Sequence, residues 1–228
     1  MLQKVDSAPA FDEYTSDPAH PVPYVAQTAN TMTREHMLDD QRFAATRPDV
    51  LVYKTEPLDR DVTVFGPIAV DLKVSTTGTD SDFDVKVIDV YPGDHPDFNN
   101  PAPLLAAPGA ALAATPPAVP GAVPMGAYQQ LVRGERFRGK FRKSFEKPVP
   151  FEPGKPDRIA FHLPYIAHTF RQGHRIMVQI QSSWFPLTDR NPQKFMDIPK
   201  ALSTDFVKAT QRVYFGGPDG SRIQLRVE

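Results

Sequence analysis

Period-two alternation of apolar and polar residues, repeated in short segments along most of the chain, constrains the fold more than any other feature. In "IAVDLKV" the residues Ile68, Val70, Leu72 and Val74 fall on one side, and Ala69, Asp71 and Lys73 on the other. Successive side chains of a strand point to opposite faces, so this pattern makes one apolar and one polar face, whereas a helix would scatter both sets. The same alternation runs through Phe83, Val85 and Val87 in "FDVKVIDV", Ile159, Phe161 and Leu163 in "RIAFHL", Ile176, Val178 and Ile180 in "RIMVQIQ", and Ile223, Leu225 and Val227 in "RIQLRV". Adding "DVLVYKT", "DVTVF" and "RVYFGG" gives about eight half-buried strands separated by Gly, Pro and Asp turns, as expected of an all-β two-sheet sandwich or jelly roll. The 25 prolines are hard to place in long helices. "YFGGPDGSRI" reads as a hairpin, because its turn combines a fixed proline φ with glycines that accept a positive one.

Two segments depart from the pattern. Residues 101–124, "PAPLLAAPGAALAATPPAVPGAVP", offer neither a regular ladder nor large side chains for a core, and read as a long surface loop insertion. Residues 1–49 are strand-poor: "SDPAHPVPY" is extended by its prolines, and "TMTREHMLDDQRFAA" can form a helical turn or two with Thr33 capping. The simplest partition is an N-terminal arm, 1–49, laid across a sandwich domain, 50–228.

Charge and motif content exclude several classes of function. With 26 basic and 27 acidic side chains there is no global field to draw in nucleic acid or an anionic membrane. No run approaches the roughly 20 apolar residues of a membrane span, and the N-terminus lacks the apolar stretch of a signal peptide. There is no cysteine, hence no disulfide, thiol nucleophile or thiolate-bound zinc. No G-x-S-x-G elbow, dinucleotide fingerprint or phosphate loop occurs. The histidines His20, His36, His95, His162, His168 and His174 have no metal-focusing spacing and read as turn and surface residues. Asp80, Asp82 and Asp84 alternate as hard-oxygen ligands for calcium could, yet Val85 and Tyr91 stand where an EF-hand loop needs glycine and glutamate, so a solvated turn competes with a loop calcium site. In "LVRGERFRGKFRKSF" the basic Arg136, Arg138, Lys140 and Arg142 alternate with Phe137 and Phe141, which reads as an edge strand with its charges outward. No cofactor is implied.

The remaining candidates lie around "QIQSSWFPLTDRNPQ". At the end of a strand Trp184 and Phe185 cannot both point inward, so one fills the core while the other faces loops, a substrate cleft or a partner domain. Asp189, Arg190 and Asn191 read as locks on the following turn, and Asp40, Arg42, Arg47 and Asp49 as a structural ion network. Met32, Met37 and Leu38 in the arm form a second apolar candidate for the cleft or for plain packing. Trp184 is the single tryptophan, and it would have to be the aromatic platform if the chain were instead a free-standing carbohydrate-binding sandwich.

Several long stretches, "YTSDPAHPVPY", "DDQRFAATRPDVLVYKTEPLDRDVTVFGPIAVDLKVSTTGTDSDFDVKVIDVYPGD", "YQQLVRGERFRGKFRKSFEKPVPFEPGK", "GHRIMVQIQSSWFPLTDRNPQ" and "VYFGGPDGSRIQLRV", resemble the C-terminal domain of X-Pro dipeptidyl-peptidase-like serine hydrolases, a family that includes cocaine esterase, α-amino-acid ester hydrolases and glutaryl cephalosporin acylases. The likeness covers nearly the whole chain apart from the insertion at 101–124. It implies a jelly roll of the galactose-binding type, packed on an α/β-hydrolase domain that supplies the whole Ser-His-Asp triad. Under that likeness the chain is a fragment or separately expressed domain with Met1 an artificial or alternative start. Residues 1–49 then join it to the missing catalytic domain, and Met32, Met37 and Leu38 run near the acyl-binding cleft. The implied partners are that domain, an ester, amide or peptide substrate, and further copies of the protein in a homo-oligomer. The sequence reads as soluble and leaves the compartment open between cytoplasm and periplasm, with any export signal in the missing part.

Overall fold

The computed structural model describes residues 10–27, 33–98 and 122–228. Its strands are β1 (Ala10–Ser16), β2 (Leu51–Lys54), β3 (Val62–Thr76), β4 (Asp82–Val90), β5 (Gln129–Arg138), β6 (Asp157–Phe170), β7 (Arg175–Gln181), β8 (Ala209–Phe215) and β9 (Arg222–Gln224), with one short helix, α1 (Arg42–Ala45). β1 pairs with β8, β2 with β7, β3 with β6 and β4 with β5, all antiparallel. The first eight strands are therefore one long hairpin wound on itself. Cross-pairing of β3 with β8 and of β4 with β7 closes it into two sheets, ordered β1-β8-β3-β6 and β2-β7-β4-β5. This is the strand order of a jelly roll, and the chain is an all-β sandwich.

The apolar rows read from sequence meet between the sheets. Ile68, Val70, Leu72 and Val74 from β3 pack with Phe83, Val85 and Val87 from β4, Ile159 and Leu163 from β6, and Ile176, Val178 and Ile180 from β7. Leu225 packs on their edge, but Val227, the last residue of its alternating set, is exposed. "DVTVF" and "IAVDLKV" form a single strand, β3, in which the register shifts between Gly66 and Ile68. Gly66 carries a φ of +102°, which a side chain would resist, and the irregularity takes up Pro67.

Other local expectations are corrected. The Gly216 to Gly220 turn does not reverse the chain. β8 and β9 both run antiparallel to β3, consecutively along it, so the turn is an excursion between two collinear strands. Gly216 and Gly217 supply its positive φ values, and a Cβ on Gly220 would lie 2.8 Å from the backbone of Gly216. β1 lies inside the segment read as arm: Phe11, Glu13 and Thr15 face out while Tyr14 and Ser16 are buried. β5 is an edge strand, but it ends at Arg138, and Lys140 and Phe141 sit in a tight 3-10 turn, Gly139–Phe141. Most of the 101–124 insertion lies outside the described residues, and Val123, near its end, forms a bridge with Phe98.

The chain between β1 and β2 lies over the outer face of the β2-β7-β4-β5 sheet. Tyr24 and Val25 pack there on Ile88, Leu131, Met177 and Trp184, and Val22, Ala44 and Val50 form an adjoining cluster. β4 is consequently buried on both faces, from Asp82 to Asp89.

Candidate functional site

The cover over that sheet brings most of the aromatic and apolar candidates together. As the chain leaves β7, the Phe185 N–H donates to Val22 O at 3.0 Å, the Tyr24 N–H donates to Phe185 O at 2.9 Å, and the Val22 N–H donates to Ser183 Oγ at 2.8 Å. The loop is stitched to the arm as a short parallel bridge between Pro23 and Phe185, with a cis peptide bond between Phe185 and Pro186. This sends the two aromatics in opposite directions. Trp184 is 7% exposed and lies against Tyr24, Ile88, Leu131 and Met177. Its ring also lies over Gly134, where a Cβ would stand 2.8 Å from Cη2, so glycine is what lets the indole down onto the sheet. Phe185 is 38% exposed, and the Arg190 guanidinium lies 5.4 Å from its ring and 4.9 Å from that of Phe206.

Met37 and Leu38 are exposed on the same cover. Met37 ends a tight turn, Arg34–Met37, and Leu38 follows it; the turn is tied down by the Thr33 N–H donating to the Tyr24 hydroxyl and by Tyr128 donating to Leu38 O. Thr33 does not cap with its side chain: His36 Nδ1 hydrogen-bonds Thr33 O, and Thr33 Oγ1 has no partner among the described residues. Met32 lies outside the described residues.

Beneath the cover is a charged layer. Arg136 grips Asp84 with two bonds, 2.7 and 3.0 Å, and lies 3.4 Å from Asp82, while Arg138 lies 3.5 Å from Asp82. From the loop, Asp189 accepts from Arg138 at 2.5 Å, Asn191 donates to Asp82 at 2.8 Å, and Arg190 donates to Pro18 O at 2.8 Å. The Asp189-Arg190-Asn191 run therefore fastens the loop to the sheet and the arm. Burial pushes the Asp82 carboxyl up to about 7 although both guanidiniums pull the other way, and burial also raises Asp80. Lys86 is wholly buried: its Nζ donates to Gln41 Oε1 at 3.1 Å and sits 4.8 Å from the Trp184 ring centroid, and burial brings its pKa down to about 7. The arm's acid–base pairs are separate ones, Arg42 on Asp40 and Arg47 gripping Asp49 with two bonds of 2.8 Å.

Two sequence expectations change here. Asp82 and Asp84 belong to arginine partners instead of a shared cation position, and no group of three potential metal ligands occurs among the described residues. The charge of Arg136 is covered, and that of Arg138 partly so, where the sequence had both outward in solvent. Lys86, Gln41 and Gln179, all fully buried, were not legible as a buried polar set, because alternation marks Lys86 and Gln179 only as the non-core face of their strands and Gln41 lies in the arm, just before α1.

The histidines do not assemble a nucleophile. Asp89, buried between the sheets, is hydrogen-bonded by His168 at 2.9 Å and His174 at 2.8 Å, and His174 is itself buried, not a surface residue. Among the described residues no serine hydroxyl hydrogen-bonds an imidazole; Ser182 Oγ instead meets the Tyr14 hydroxyl at 2.7 Å. What the site offers is a rigidly fastened cover with exposed apolar groups. The single tryptophan is beneath it, which leaves a saccharide reading without its platform. No helix among the described residues is long and apolar enough to cross a membrane.

The sequence profile of the X-Pro dipeptidyl-peptidase C-terminal non-catalytic domain matches residues 3–224. Cocaine esterase from Rhodococcus sp. (strain MB1 Bresler) is 29% identical over 227 residues, a match spanning 100% of this chain and 34% of that protein. An aminopeptidase from the marine sediment archaeon Thaumarchaeota archaeon superposes with a TM-score of 0.81 at 39% identity, over 100% of this chain and 34% of its own. An α-amino acid ester hydrolase superposes with a TM-score of 0.81 at 41% identity, over 96% of this chain and 32% of its own. The chain thus spans about a third of the length of these relatives.

Proposed function

Because the chain belongs to the family of X-Pro dipeptidyl-peptidase C-terminal non-catalytic domains, we propose that it packs on the α/β-hydrolase domain of a serine hydrolase and shapes the cleft in which an ester, amide or X-Pro peptide bond is cleaved. The observation that carries this reading is the cover itself. Phe185, Met37 and Leu38 are exposed apolar groups held on a fastened loop and arm, with Trp184 and paired charges beneath them. A wall of that kind displaces water from a neighbouring site, and acyl transfer gains from a partly dry pocket whose oxyanion donors are set in advance. The nucleophile, base and oxyanion donors belong, in this reading, to the other domain.

The test compares three preparations on p-nitrophenyl acetate and an X-Pro p-nitroanilide: this chain, the longer protein, and the longer protein carrying Phe185→Glu. The expected pattern is no turnover by the chain, turnover by the longer protein, and a kcat/KM lowered about tenfold or more by the substitution with the melting temperature of the chain held. Turnover by the isolated chain, lost on changing one of its own serines, would overturn the reading. So would an unchanged kcat/KM in the variant.

A further inference from the structure

Among the described residues three guanidiniums lie over aromatic rings: Arg142 over Phe151 at 3.8 Å, Arg212 over Phe11 at 4.3 Å, and Arg190 over both Phe206 and Phe185, at 4.9 and 5.4 Å. The first two are also paired with acids, Arg142 with Asp157 at 2.6 Å and Arg212 with Glu13 at 2.9 Å. Arg190 has no carboxylate partner among those residues. The acids beside it and beside its contacts are taken: Asp189 by Arg138, Asp17 by His20 and Lys208, and Asp205 by Lys194.

A guanidinium carries its N–H donors in a planar fork and keeps its charge. Arg190 makes one hydrogen bond among the described residues, from Nη1 to Pro18 O, and neither Nε nor Nη2 is a buried atom, so the rest of the fork opens on the surface. Pro18 of the arm, Phe185 of the loop after β7 and Phe206 ahead of β8 all hold it, and the neighbouring Asp189 and Asn191 fasten its backbone to the sheet. Phe185 and Val207, the residue after Phe206, are exposed apolar neighbours. An apolar surface laid over them would cover an unpaired charge, which is strongly unfavourable unless that surface brings an opposite one. We propose that Arg190 anchors the contact with the catalytic domain by taking, in its free fork, an Asp or Glu carboxylate of that domain. A fixed planar fork suits a carboxylate because it can donate two parallel bonds. Such an anchor presupposes that the chain packs on an α/β-hydrolase domain, as proposed above, and fixes which group of the chain meets it.

Phenylglyoxal labelling of arginines, resolved by peptide mass spectrometry and timed against N-acetylarginine in the same tube, compares the 228-residue chain with the longer protein. Arg190 is expected to be labelled in the chain and to lose its labelling in the longer protein. The longer protein carrying Arg190→Lys is then treated with a water-soluble carbodiimide. The reagent activates a carboxylate, the introduced amine displaces the reagent as its urea, and the amide that forms identifies the acid facing position 190. The expected new link, absent from the wild type, runs to an Asp or Glu outside the 228 residues. Equal labelling of Arg190 in both preparations overturns the proposal, and so does a cross-link map with no carboxylate from outside the chain. Neither readout involves turnover. Protection of other arginines with Arg190 left reactive would mean that the domain packs elsewhere, which sinks the anchor alone. A protected and cross-linked Arg190, with kcat/KM unchanged in Phe185→Glu, would keep the anchor and sink the cleft-shaping reading.

Discussion

Replacing Lys86 by methionine should reverse its effect on stability across the alkaline range. The ammonium is wholly buried, its one hydrogen bond among the described residues goes to the neutral Gln41, and the nearby Asp84 is already gripped by Arg136. Burial lowers its pKa from 10.5 to about 7. Each unit is about 1.4 kcal/mol, so holding the charge in the folded state below pH 7 costs roughly 5 kcal/mol. Because the folded pKa is the depressed one, that cost is absent above pH 10.5, grows as the pH falls towards 7, and is constant below it. Methionine keeps the apolar stem and discards the charge, but leaves Gln41 Oε1 buried without its donor, at about 1–3 kcal/mol. The net expectation is a variant about 2–4 kcal/mol more stable at pH 7, near parity around pH 9, and slightly less stable than wild type close to pH 10. Urea unfolding followed by Trp184 fluorescence and by circular dichroism, at four pH values between about 7 and about 10, measures the difference directly. A pH-independent difference, or a variant destabilised at pH 7, would show that Lys86 does not hold its charge in a dry site.

Gly134→Val pushes a branched side chain into the Trp184 ring, where even a Cβ stands at 2.8 Å; we expect a loss of about 1–3 kcal/mol and a red-shifted tryptophan emission, read in one denaturation series. Arg136→Met removes the guanidinium that holds Asp84 and faces Asp82, leaving carboxylates buried without it, at about 3–5 kcal/mol, and Asp84→Asn in the same chain should recover a good part of that loss by thermal melting. Asp82, raised by burial to about 7, favours its neutral form in the folded chain, so its contribution is complete below pH 3.8 and is lost as the pH rises from there to about 7. Asp82→Asn should flatten the stability profile in that window and leave the window above it to Lys86.

How much of this was legible in the sequence follows from what alternation encodes. It distinguishes the two rows of a strand, and where one row is Val70, Leu72 and Val74 the core side is unambiguous. It does not say what covers the other row. Asp82, Asp84 and Lys86 read as a solvent face because they are charged, yet all three are fully buried, since the arm and the loop after β7 sit on them. The arm's contacts Val22, Tyr24 and Val25 have neither helical nor strand periodicity, because they are extended or turning chain pressed on a sheet, and so carried no signal of where they go; Ala44, in the short helix α1, carried a helical signal but not the face it packs on.

One signal was present and needed only the register to be read. β4 carries Asp82, Asp84 and Lys86 at alternate positions, and β5 carries Arg138, Arg136 and Gly134 at alternate positions in the reverse direction. The antiparallel register sets Asp82 opposite Arg138, Asp84 opposite Arg136 and Lys86 opposite Gly134. Two rungs are opposite-charge pairs of the kind that stabilise neighbouring strands. The third breaks the rule: where an acid would match Lys86 there is no side chain at all, and the space is taken by the Trp184 ring. An acid in that place would have to compete with the indole for the same volume. The sheet thus gives up one ion pair to seat Trp184, and the seated Trp184 fixes the backbone that turns Phe185 outward. The unpaired lysine and the exposed phenylalanine are two ends of the same substitution of an aromatic ring for a charge.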